Sequence, residues 1–368
     1  MQPFQQPRQA MVNGIMALLV TGMIVFFQPW IDGSPLTNNI IKQSAEGPAA
    51  AIPAGSPEPN ELGQVMILEY HLIGTPEAQW RRTPDNFRND LRMLYQNGYY
   101  PVSLQDLVQG RIHVPAGKTP FVLTFDDSSE GQFRYIKQGD KLTVDPDCAI
   151  GIMERFKKDH PDFPLTATFF VLPAIKPGLR LFGQEEYIAL KLNYLVRHGY
   201  EIGNHSYWHQ NLGKTDDEGV MKQLALAVKA IQSYVPGYQV RSLALPLGVH
   251  PKNRSLETDG EYQGIRYHHD AVLLVGSGSA PSPFSKKFNP GRLERIQAGD
   301  TPWGPAAYVK LFKKDPSLRF ISDGNGALIT VPKSKRDQFN PALSMKNNLR
   351  IYETGIPTKP NMGQSVKK

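Results

Sequence analysis

The sequence predicts a parallel α/β fold, open or barrel-like, on three observations. Short apolar runs alternate with longer amphipathic stretches from residue 64 onward. One run, Phe121 to Phe125 (FVLTF), is continuously apolar, as in strands buried on both faces. Turn residues such as Asn97-Gly98 and Gly199 close the helical stretches. No internal repeat interrupts this series.

In chain order, Gln64 to His71 (QVMILEYH) reads as a strand. Asn86 to Asn97 is a helix with Phe87, Leu91 and Leu94 on one side, and Leu104 to Val108 is a short second helix. After the Phe121–Phe125 strand, a helix around Ile150 to Lys158 leads through a Pro-rich turn to the strand Thr166 to Leu172. Glu185 to His198 is helical, and Glu201 to Gly203 begins the next strand. Glu218 to Val235 is a further helix with Leu224, Val228 and Ile231 in register, and strands follow around Ser242 to Leu245 and Ala271 to Val275.

The chain has 368 residues, enough for about 300 in a globular body beyond its N-terminal segment. Between Arg8 and Asp32 there is no formal charge, and residues 10–31 would span about 33 Å as a helix, the thickness of a bilayer. We therefore expect a short cytoplasmic N-terminus over 1–9, a transmembrane signal-anchor over 10–31 and a Pro/Ser/Ala/Gly-rich linker over 32–60. A globular domain over 61–335 and a C-terminal extension with a flexible tail over 336–368 complete the expected layout. A cleaved signal peptide is the competing reading of the first segment, although FFQPWIDG offers no small-x-small cleavage pattern. Either places the body of the chain outside the cytoplasm. The single cysteine, Cys148, excludes an internal disulfide and a cysteine-rich metal site. The net charge of +7 is spread over short clusters such as Lys286-Lys287 and Lys313-Lys314, in no zinc-finger or RNP-like context, so nucleic-acid binding is not expected.

Two constellations stand just beyond strands, where functional groups gather in parallel α/β folds. In the first, Leu123-Thr124-Phe125-Asp126-Asp127-Ser128, adjacent carboxylates repel one another, so a cation or a division of labour would rationalise them. A helix-start pattern, with Asp127 or Ser128 as cap, is the alternative. The second, Gly203-Asn204-His205-Ser206-Tyr207-Trp208-His209, places two histidines four apart; a helical backbone between them would present both imidazoles to one ion. Two histidines and one carboxylate make an N,N,O set that leaves positions open for water and substrate. His268, His269 and Asp270 suggest another cluster, but neighbouring side chains diverge where they lead into AVLLVG.

Together these blocks resemble the polysaccharide deacetylase family, the NodB-homology or carbohydrate esterase 4 family, whose signature is T-F-D-D followed by H-[S/T]-x-x-H. Here they are Thr124-Phe125-Asp126-Asp127 and His205-Ser206-Tyr207-Trp208-His209, with Thr168-Phe169-Phe170 between them. The resemblance extends from residue 64 to about 330 and implies a distorted (β/α) barrel with fewer than eight regular strands. It also implies a divalent metal, often zinc, held by Asp127, His205 and His209, with Asp126 as general base. Leu68-Glu69-Tyr70-His71 matches the L-x-x-H that supplies the general acid, His71. Its place ahead of the aspartate pair resembles the motif order of deacetylases of poly-N-acetylglucosamine.

Two departures from the family pattern stand out. Its glycine after the aspartate pair is Ser128 here, and its R-x-P-x-G motif reads Ala244-Leu245-Pro246-Leu247-Gly248, without the arginine that would hold the base. Arg295, in Leu293-Glu294-Arg295-Ile296, resembles an L-x-R-I segment of related members; it either replaces that arginine or forms a surface salt bridge. The implied activity is removal of acetyl groups from an N-acetylated polysaccharide, with Tyr207 or Trp208 as sugar-stacking candidates. A non-catalytic glycan-binding protein and a carbohydrate O-acetyl esterase are the rival expectations.

Overall fold

The computed structural model describes residues 57–343 and 348–353. The expected membrane span at 10–31 lies outside the described residues, as do residues 1–9, most of the expected linker and the tail from residue 354. Among the described residues no helix is long and apolar enough to cross a membrane.

Eight parallel strands form the central sheet: β1 (Met66–Tyr70), β2 (Tyr99–Pro101), β3 (Thr119–Phe125), β4 (Thr168–Val171), β5 (Glu201–Asn204), β6 (Ser242–Ala244), β7 (Ala271–Leu273) and β8 (Ile296–Gln297). Their order is β7-β6-β5-β4-β3-β1-β8, with β2 paired to β3. Every residue of β1 and β3 is buried, as continuous apolar runs require when both faces are covered. Beside the edge strand β7 runs Leu293, whose N–H donates to Val272 O (2.8 Å) and whose carbonyl accepts from Leu274 N (2.9 Å). The parallel sheet is curled as a half-barrel.

Among the described residues six α-helices accompany the sheet: α1 (Pro84–Gln96), α2 (Leu104–Val108), α3 (Ala149–Asp159), α4 (Ile188–Arg197), α5 (Asp217–Tyr234) and α6 (Pro305–Lys314). α1 shows why sequence spacing places such helices. The Thr83 hydroxyl caps it by accepting from Asn86 N (3.2 Å), Pro84 occupies the first turn, and Phe87, Leu91 and Leu94 enter the core. That cap starts α1 two residues before the expected Asn86.

Several expectations change. The expected helix 185–198 divides into a 3-10 turn, Glu185–Tyr187, and α4. The strand expected over 166–172 shortens to β4. β2, β8 and α6 were not read from the sequence at all. β2 and β8 have three and two residues, too few to show a period, and α6 buries just Pro305, Val309 and Phe312. Within the expected C-terminal extension, Asn348–Tyr352 pairs in parallel with Leu328–Pro332.

Candidate active site

β1 and β3 are neighbours and β4 separates β3 from β5; the residues just beyond the C-terminal ends of β1, β3 and β5 are His71, the Asp126-Asp127 pair and His205. The two aspartates diverge. Asp127 Oδ1 lies 3.4 Å from His205 Nε2 and 3.7 Å from His209 Nε2. Asp126 is fully buried and accepts from both terminal nitrogens of Arg295, at 2.8 and 2.7 Å. No helix starts at this pair, which removes the helix-cap reading.

One donor atom each from Asp127, His205 and His209 lies within 4.8 Å of the others. His205 Nδ1 donates to Ala244 O (2.9 Å), which leaves Nε2 to face Asp127. Asp127 and His209 stay partly exposed while His205 is buried, so the cluster opens on one side. This donor set fits a divalent cation with room for further ligands. The helical backbone that would present both histidines to one ion is not what joins them. Ser206 (φ 65°) and His209 (φ 55°) are left-handed, and that irregular turn, not a helix, brings the imidazoles together at 4.9 Å between ring centroids.

Asp127 (φ 72°) and Ser128 (φ 44°) are also left-handed, a conformation costly for side-chain-bearing residues unless their surroundings enforce it. The Ser128 hydroxyl supplies part of that enforcement, donating to Leu179 O (2.6 Å) and accepting from Leu172 N (3.0 Å). Its carbonyl accepts from Phe182 N (2.8 Å). Ser128 is thus held in its left-handed turn by hydrogen bonds.

Arg295 is fully buried, which removes the surface-salt-bridge reading. Besides Asp126, its guanidinium donates to Glu69 Oε1 (3.3 Å), Thr124 Oγ1 (3.1 Å) and Leu274 O (2.6 Å). It reaches Asp126 from β8's side of the sheet, while Ala244 contributes a carbonyl to His205 instead of a side chain. Glu69, which sequence reading passed over, is buried on β1 and accepts from Gly276 N (2.8 Å). Its Oε1 lies 3.8 Å from His71 Nε2. Glu69, His71 and Asp126 also converge, but the Arg295 guanidinium sits against both carboxylates and competes with a second cation for them.

Burial alone would raise the Asp126 carboxyl; the charges of Arg295 and then His205 outweigh it and hold it well below the usual range. Asp127 is lowered as well, burial being overcome by its bond to His205. For Glu69 burial prevails over Arg295, and its carboxyl is raised. His209 is lowered by burial and then by the His205 charge.

The remaining expected cluster comes apart. His268 is exposed between Asp259 (2.6 Å) and Asp270 (3.1 Å), whereas His269 is buried. His269 Nδ1 donates to Glu257 O (2.7 Å), and its Nε2 accepts from Asn204 Nδ2 (3.2 Å). Asn204 Oδ1 in turn accepts from Ser206 N (2.8 Å), so His269 braces the turn that carries the histidine pair.

Residues 155–267 match the family model described as polysaccharide deacetylase. The matched segment is similar to a polysaccharide deacetylase domain and takes in His205 and His209. Among solved structures, the chain is similar to the deacetylase PplD of Streptococcus pyogenes in complex with acetate, at 16% identity over 68% of this chain and 98% of that one, TM-score 0.49. It is also similar to a polysaccharide deacetylase from Bacillus cereus, at 17% identity over 69% of each chain, TM-score 0.48. IcaB from Ammonifex degensii is similar at 19% identity over 67% of this chain and 97% of that one, TM-score 0.44. No curated protein matches the chain.

Proposed function

We propose that this chain is a metal-dependent N-deacetylase acting on an N-acetylglucosamine-containing polysaccharide of the cell envelope or extracellular matrix. The observation that carries the reading is the divergence of the aspartate pair. One carboxylate is committed to two imidazoles and the other to a buried guanidinium. A divalent metal, with zinc the first choice, would be held by Asp127, His205 and His209; when bound it polarises the amide carbonyl and acidifies water.

In this reading Asp126 takes the proton from the attacking water, and Arg295 keeps its carboxylate ionised and aimed. His71 delivers a proton to the departing amine, and the Glu69 carboxyl lies 3.8 Å from its Nε2. The Trp80 ring lies 4.6 Å from the His71 ring and is 40% exposed, offering an apolar face to the sugar. Trp208, 45% exposed beside His209, offers another. A buried arginine on Asp126 favours catalysis over the glycan-binding alternative, because a bare binding surface has no use for it. A proton donor at His71 favours amide over ester substrates, since an amine is the poorer leaving group.

Residues 10–31 are proposed as a transmembrane anchor joined by a linker over 32–60 to an extracytoplasmic domain over 61–335. Protease accessibility and intact mass test that layout. The activity is tested by acetate release from N-acetylglucosamine oligomers, peptidoglycan and poly-N-acetylglucosamine, with bound metal quantified. We expect Asp127→Ala and His209→Ala to lose both metal and acetate release, and Asp126→Asn to keep metal and lose turnover. Full acetate release by metal-free Asp127→Ala protein would sink the mechanism.

A further inference from the structure

Gln132 is fully buried in the turn that follows the aspartate pair. Its side-chain amide donates to two backbone carbonyls, His71 O (2.7 Å) and Asp126 O (2.5 Å). β1 and β3 are parallel neighbours whose last paired residues are Tyr70 and Phe125, and Asp126 N donates to Tyr70 O (2.9 Å). Beyond that bond the ladder stops. The Gln132 amide spans the next two carbonyls, those of the proposed acid and the proposed base, and so continues the ladder by one side chain.

The turn carrying Gln132 is itself held firmly. Its carbonyl accepts from Ile150 N (3.1 Å) and that of Gly131 from Ala149 N (3.0 Å), which seats the turn on the first residues of α3. Gly131 packs so closely on the chain after His71 that a Cβ there would overlap the Ile73 carbonyl oxygen. Gln132 is therefore a fixed point from which both carbonyls are gripped.

We infer that Gln132 is a positioning residue that sets the backbone of His71 relative to that of Asp126. It reaches the reaction through those two carbonyls, and the inference rests on the N-deacetylase reading. Base and acid must straddle one scissile bond, and a misplacement of about 1 Å can cost on the order of 100-fold in rate.

The test uses the full chain loaded with zinc and compares wild type with Gln132→Met, which keeps the volume and loses both donors, and Gln132→Glu. Acetate release from N-acetylglucosamine oligomers gives kcat and KM, alongside zinc content and thermal unfolding. Gln132→Met should lose roughly 10- to 100-fold in kcat while KM and zinc content stay near wild type. The deficit of Gln132→Glu should shrink as the pH is lowered, because a protonated carboxyl regains one donor. Wild-type kcat in Gln132→Met overturns the inference, as does a kcat loss matched by equal loss of zinc or of folded protein. Absence of acetate release from zinc-loaded wild type is a separate result, which overturns the deacetylase reading and this inference with it.

Discussion

Asp126 and Asp127 are covalent neighbours with different electrostatic partners, and the side chain that separates their roles is Arg295. It lies fully buried against two carboxylates, Asp126 and Glu69. Removing one member of such a group leaves the others charged and unpaired. Arg295→Met should therefore lower stability by about 3–5 kcal/mol, read by urea denaturation, and abolish turnover. Trp80 is exposed at the edge of the site, so its loss should act on substrate and not on folding. Trp80→Ala should raise KM for an oligomer several-fold, corresponding to about 0.5–1.5 kcal/mol of aromatic contact, with the unfolding temperature unchanged.

At the scale of elements, the site depends on loops held in unfavourable backbone conformations. Leu181, Phe182, Gly183 and Gln184 all have positive φ, and this left-handed run packs on Ser128 through the Phe182 N–H. Lys191 on α4 is fully buried beneath it and donates to Phe182 O (2.8 Å) and Gly183 O (3.1 Å). Burial lowers its ammonium to about 8. Lys191→Met would strand two buried carbonyls, and we expect a loss of about 1–3 kcal/mol per stranded group in chemical denaturation. The sequence shows none of this, because Lys191 sits at an ordinary helix position. It does show α4 itself, whose apolar spacing is local.

At the scale of the whole molecule, the first residues of the folded body are tied to its last strands. Asn60 N donates to Ile321 O (2.8 Å), Glu61 N to Thr330 O (3.0 Å), and Thr330 N to Glu61 Oε2 (2.8 Å). Burial, reinforced by the charge of Asp323, pushes the Glu61 carboxyl up to about 8. A carboxyl raised on folding binds more protons in the native state than in the unfolded one. Its contribution is thus fully present below about 4.5 and is lost as the pH climbs through about 8. The denaturation midpoint of wild type should fall across that window, and Glu61→Gln should flatten the slope.

The sequence by itself determined which chemical groups the chain carries and their local order. Asp126-Asp127 and His205–His209 each lie within a few residues at strand ends, so spacing and apolar runs reveal them. The strand–helix alternation that places them is equally local. Tertiary structure decided which group serves which. Arg295 finds Asp126 from 169 residues away, and Gln132 finds His71 from 61. Glu69 resembles any other position of a buried strand until Arg295 and Gly276 are set beside it. The physical reason is that a buried polar group is defined by the partner that satisfies it. Such partners are chosen by the curl of the sheet and by the order of its strands, which no local pattern encodes.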